Sequence, residues 1–115
     1  MEKTVINVTL EAFASEAEKA ALSRLEDFKT LTFEEVAKIP EAAAEDIVVA
    51  GKEVQLAVFR QKGVPRIPQA VLVTAQIIRA GMGGIVTFRH EEGLVFLPQG
   101  GNRQATEEEL LATGS

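Results

Sequence analysis

The chain has no cysteine, no tryptophan and no tyrosine, and a single histidine. Without cysteine there can be no disulfide, thiolate metal site or thiol nucleophile, and the composition suits a reducing compartment. Without tyrosine and tryptophan the core must be built from Val, Ile, Leu, Ala and six phenylalanines. The side chains that most often stack on bases or anchor interfaces are missing with them. No apolar run approaches the roughly 18 residues that a membrane-spanning helix needs. The N-terminus places Glu2 ahead of its only lysine and interrupts its apolar run with Asn7 and Thr9, a poor secretion signal. The expectation is a cytoplasmic, soluble protein with no membrane partner.

A further absence is regional. Residues 54–90 contain five bases, Arg60, Lys62, Arg66, Arg79 and Arg89, and no acid. Residues 1–53 hold 12 acids against 6 bases and residues 91–115 hold 5 against 1, so the net charge of −5 hides a cationic block between acidic flanks. Nucleic acid is not the expected partner. The overall charge repels phosphate, and five bases spread over three strands make a thin track.

What is present reads as one domain, residues 1–115, since 115 residues are too few for two comfortable cores. The helical part covers about 11–40. Lys3 to Leu10 fits either a short strand or the lead-in to a helix. Ser15 and Glu18 have capping-box spacing, and Ala14, Ala17, Ala21, Leu25 and Phe28 recur on one helical face, which predicts a helix over about 11–29. Thr32 and Glu35 repeat the cap signal for a short second helix that Pro40 ends. Residues 41–46 either extend that helix or link it to the first strand.

From Asp46 the hydrophobic period drops to two, and the sheet part runs over about 46–98. Two strands are joined by Ala50-Gly51-Lys52. Pro65 and Pro68 then interrupt, since proline removes a ladder donor. Residues 69–80 form the third strand, Ile85–His90 the fourth and Leu94–Pro98 the fifth, with Glu91-Glu92-Gly93 as a turn and residues 100–104 as loop. Thr106 with Glu109 opens a helical turn over about 106–112. The predicted fold is α+β: N-terminal helices packed on one face of a four- to five-stranded antiparallel meander, with a short C-terminal helical turn.

The strands are apolar on both sides. Val54, Leu56 and Val58 oppose Ala57 and Phe59, while Val71, Val73 and Ile77 oppose Leu72 and Ile78. One or two helices cover one face of five strands, not two. Burying a Leu or Phe stabilises by roughly 1.5–3 kcal/mol, so a bare second face would forfeit several such contributions. The expectation is a homo-oligomer, a dimer first, closed through the sheet.

Motifs for chemistry are sparse. Gly81, Gly83 and Gly84 raise the question of a phosphate loop, but the spacing is not GxGxxG and a strand-like run succeeds them where a helix would be needed. A hairpin connection is the expected role. His90 with Glu91 and Glu92 lacks metal-ligand spacing, and neighbours on a strand diverge to opposite faces. No metal or other cofactor is expected. Because imidazole changes charge near neutral pH, His90 with Glu91 or Glu92 is the candidate acid–base pair if the protein is a small enzyme.

The arginines are the stronger lead. Pairing Gln61 with Ala70, and centring the glycine turn on Met82, brings Arg60 and Arg89 toward one end of the sheet and leaves Arg79 at the other. Such a pair can grip a carboxylate or phosphate, or it can pair with the acidic helices. Arg60, Arg79, Arg89 and His90 are therefore the candidate ligand-binding residues. The reading carried forward is a non-catalytic binding or interaction protein, homo-oligomeric through its sheet, with a small anionic or apolar ligand or a protein as partner. The alternative is the small enzyme with arginine as anion clamp.

Overall fold

The computed structural model describes residues 2–112, with side chains from residue 11 onward except that of Met82. A long helix α1 (Glu2–Glu26) and a one-turn helix α2 (Phe33–Val36) precede five strands: β1 (Ala42–Val49), β2 (Lys52–Val64), β3 (Ile67–Ala80), β4 (Val86–Phe96) and β5 (Asn102–Gln104). A last short helix, α3 (Glu107–Leu111), closes the described chain. The strands pair antiparallel in the order β1-β2-β3-β4-β5. This is the α+β meander that the sequence predicts.

The first helix is longer than its signals suggest. Lys3 to Leu10 is helical, and the Ser15–Glu18 pair lies inside α1 with both residues exposed. Ser and Glu three apart also occur in any solvated helix face, so the spacing alone does not mark a start. The buried stripe is as expected: Ala17, Ala21 and Leu25 are buried and Phe28 packs against the core, with Phe13 added at the near end. At Thr32 the capping box is real. Its hydroxyl accepts from the Glu35 N–H at 3.1 Å and the Glu35 carboxylate accepts from the Thr32 N–H at 2.9 Å.

Cross-strand registers define two faces. The first face carries Val54, Leu56 and Val58 of β2, Val71, Val73, Ala75 and Ile77 of β3, and Leu94 and Phe96 of β4. These pack with Phe13, Ala17, Ala21, Leu25 and Val36 into the main core. Ala17 and Ala21 are fully buried, and their small side chains let α1 lie close on the sheet. The second face holds a smaller cluster, Val64, Ala70, Leu72 and Val95, with Ile67, Leu97 and Ala105 against it.

Three boundaries differ from expectation. The sheet starts at Ala42, so residues 42–46 belong to a strand. Pro65 and Pro68 do not interrupt the sheet. Pro65 and Arg66 form a two-residue turn, Arg66 taking φ 73°, and Pro68 lies in β3 where the β2–β3 register shifts between Lys62 and Val64. A bulge is the place where a strand tolerates a residue without a donor. The third difference is β4, which runs unbroken through Glu91-Glu92-Gly93, while the fifth strand falls in the stretch expected as loop, Asn102–Gln104. Consecutive acids look like a turn, yet each of these glutamates has a hydrogen-bonding partner within the sheet: Gln76 serves Glu91, while His90 and Gln104 serve Glu92.

The β1–β2 turn is Ala50-Gly51, with φ 49° and 77°. Two consecutive positive φ values are the type I′ hairpin, which favours Asn-Gly because a Cβ-bearing residue other than Asn or Asp is strained at the first position. Ala50→Asn is therefore expected to raise stability by about 0.5–1 kcal/mol. Urea denaturation at neutral pH, with m unchanged, checks it.

Candidate functional site

The glycine segment is a hairpin connection. Met82–Gly84 makes one 3₁₀ turn in which Gly83 and Gly84 take φ 73° and 77°, and the Gly81 N–H donates to the Ile85 carbonyl at 2.7 Å. The turn centres between Gly83 and Gly84, one to two residues beyond Met82, so Ala75 lies opposite Glu92 and Arg89 opposite Ile78. At the other end of β3 the bulge places Arg60 opposite Val73 where the simple register gave Val71.

These two shifts dismantle the arginine pair. Arg60 shares a row with Val73 and Leu94 on the first face, five residues along β4 from Arg89 on the second. Arg79 lies near Arg89, opposite Phe88, but on the first face. Each arginine is also occupied. The Arg60 Nε donates to the Ile39 carbonyl at 2.8 Å, tying the α2–β1 connection to β2, with Glu41 4.0 Å away. Arg79 lies 5.9 Å from the centroid of the Phe13 ring, which packs edge-on against Phe88. Arg89 approaches Glu91 at 3.7 Å and is partly exposed.

His90 and Glu92 share the first face, and His90 Nε2 lies 2.7 Å from Glu92 Oε2. The other Glu92 oxygen accepts from Gln104 Nε2 at 3.1 Å. Glu91 points the other way and accepts from the buried Gln76 amide. The expected divergence of His90 and Glu91 holds, though in mid-strand and not at a hairpin end. Among the described residues there is no group of three or more His, Cys, Asp or Glu side chains that could hold a metal. No described helix is long and apolar enough to cross a membrane.

The charged group that sequence reasoning missed is Arg103 on β5. Its guanidinium donates two parallel hydrogen bonds, both 2.7 Å, to Glu109 of α3. Glu109 is buried, and its carboxylate also accepts from the Thr106 N–H at 2.8 Å while the Thr106 hydroxyl accepts from the Glu109 N–H. The fork pins α3 onto the second face. Gly93 lies beneath it: a Cβ there would come within 2.9 Å of Leu110 Cδ2 and 3.1 Å of the Ala105 methyl. The "TEEE" run showed the cap, but nothing in the sequence pairs Arg103 with Glu109 before β5 is known.

The second face is thus half covered. Over β3 and β4, α3 and Ala105 shelter Leu72, Val95 and Gly93. Over β1 and β2 lie Ala42, Ala44 and the buried Ala57, flanked by Phe59 and by Val48, which is 68% exposed. On the far side Leu111 of α3 is 71% exposed, beside an open cleft of about 250 Å³ lined by Arg89, Glu91, Glu107, Leu110 and Leu111. This divided face is the candidate site. Comparison with protein-family models gives no match, and neither the curated proteins nor the solved structures supply one.

The Arg103 hydrogen bonds, against the opposing effect of burial, hold the Glu109 carboxyl down at about 2, below its ordinary 4.5. A depressed carboxyl stabilises the fold above its unfolded pKa, and that contribution fades as pH falls from about 4.5 through about 2. Glu109→Gln is expected to cost about 1–3 kcal/mol at pH 7, with the gap to wild type closing as the pH drops through that window. Paired urea titrations at pH 7 and near pH 3 read the difference.

Proposed function

We propose that the protein is a non-catalytic interaction module that works as a homo-oligomer, a dimer in the first instance, through the second face of its sheet. The observation that supports this is the uncovered half of that face. Ala42, Ala44 and Phe59 form an exposed apolar area on β1 and β2, floored by the buried Ala57 and set apart from Val48 by the Asp46–Gln55 row, that no described helix overlies. A surface with a small-residue floor and a protruding aromatic at its edge suits a tightly packed partner better than solvent. The cysteine-free composition fits a reducing, cytoplasmic setting, where we place it.

A small-anion site draws less support, because Arg60 and Arg89 lie on opposite faces. The enzyme reading rests on the 2.7 Å contact between His90 and Glu92. Arg89 and Glu91 lie on the other face, and Arg79, one row from His90 on the same face, is over the Phe13 ring.

At micromolar concentration the expected solution mass is twice the chain's 12.4 kDa, by sedimentation equilibrium or light scattering. Phe59→Asp, at a side chain already 37% exposed, is expected to leave the fold intact by circular dichroism and shift the mass to the monomer. A wild-type chain that stays monomeric at these concentrations overturns the reading.

A further inference from the structure

We propose that the cover for the open half of the second face is the α3 helix of a second copy, delivered by a twofold axis that runs along the strands between β2 and β3. The inference rests on the face-to-face association proposed above and specifies its geometry. It starts from the asymmetry of the face: among the described residues, the β3–β4 half carries a helix and the β1–β2 half carries none.

A twofold axis parallel to the strands reverses their lateral order and preserves the level along them. It therefore lays β1 of one copy over β4 of the other, and β2 over β3. The covered half of each copy then meets the open half of its partner. Each α3 is sandwiched between its own sheet and the partner's, and the contact is isologous and closed.

The registers allow a residue-level check. Asp46, Gln55, Ile78 and Arg89 form one row across the second face, and Ala44, Ala57, Gln76 and Glu91 form the next. Under the proposed axis Asp46 of one copy stands at the level of Arg89 in the other, and the reverse holds by symmetry. Ala44 stands at the level of Glu91, beside which Leu110 and Leu111 rise. The only large apolar side chain that α3 leaves exposed, Leu111, is thus brought over the alanine floor.

Charge decides in favour of this occupant. Asp46 is exposed on the acidic side of the face, and Arg89 is partly exposed on the other, beside Leu111. Two copies related this way set each Asp46 at the level of Arg89 in the other copy, acid facing base across the α3 layer at the rim of an apolar centre, the complementarity that steers encounter. A twofold axis across the strands would instead set β1 against β1 and the helix-covered half of one copy against the helix-covered half of the other, acidic edge on acidic edge and the open halves left to each other.

The test exploits the absence of cysteine. Ala44→Cys and Leu111→Cys proteins are prepared separately, mixed and oxidised. A disulfide-linked heterodimer on a non-reducing gel, formed faster in the mixture than the homodimers form in either protein alone, supports the proposal. Leu111→Asp alters an exposed position, so folding is retained, and it is expected to weaken dimerisation about tenfold or more. Asp46→Arg and Arg89→Asp should each weaken it, and the double exchange should restore it. If the wild type dimerises and Phe59→Asp dissociates it, while Leu111→Asp and the charge exchanges leave it unchanged, this geometry is overturned and the face association stands. A monomeric wild type removes both.

Discussion

Everything in this fold is organised around a central strand that is buried on both sides. In β3, every residue from Ala70 to Ile77 is buried, so each face of the sheet needs a cover. The first face receives one over most of β2, β3 and β4, with Ala43 and Glu45 of β1 left exposed. Helix α1 is long, and the alanines of its buried stripe bring it close enough to pack against three strands. For the second face the described residues supply only a five-residue helix, and the consequences of that shortage run through the rest of the molecule.

The order of elements and the two-sided apolar character were legible in the sequence because they stem from period and composition, which are local. Period two from Asp46 onward, Gly51 at a tight turn, and Thr32–Glu35 and Thr106–Glu109 at helix starts all name their structures directly. Register was not legible in the same way. It depends on how many residues each turn and bulge consumes. The bulge near Gly63 and Pro68 and the centring of the glycine turn between Gly83 and Gly84 each displace the pairing by two or three positions. Such shifts leave the fold unchanged and still separate Arg60 from Arg89. A candidate site that depends on two strands inherits the errors of both turns.

Dependence on distant partners also explains why the acids at Glu91 and Glu92 resembled a turn. Consecutive carboxylates are costly in a strand only when unpartnered. Here they alternate to opposite faces and each accepts a hydrogen bond from a neighbouring side chain. Their partners come from β3, β4 and β5, and only β4 is local. The cationic block that looked like a ligand surface is likewise spread over both faces. Arg60 bonds a connecting loop, Arg79 rests on Phe13, and Arg89 stays partly exposed on the second face.

A helix of five residues has no stability of its own, since isolated helices below about 12–15 residues are marginal even with good sequences. Helix α3 persists because the Arg103–Glu109 fork and the Thr106 cap fix one of its faces to β5, and because Leu110 finds Gly93 beneath it. The cover of the second face therefore rests on one ion pair to a three-residue edge strand, one cap and the packing of one leucine. Association that uses the opposite face of the same helix would bind the docked form and not the detached one, and so would hold α3 in place by mass action. Under the proposed association, docking of α3 and assembly of the sheet faces would be one equilibrium. In that same association, the exposed Leu111 and the exposed Ala42 and Ala44 of β1 would be the two halves of a single contact.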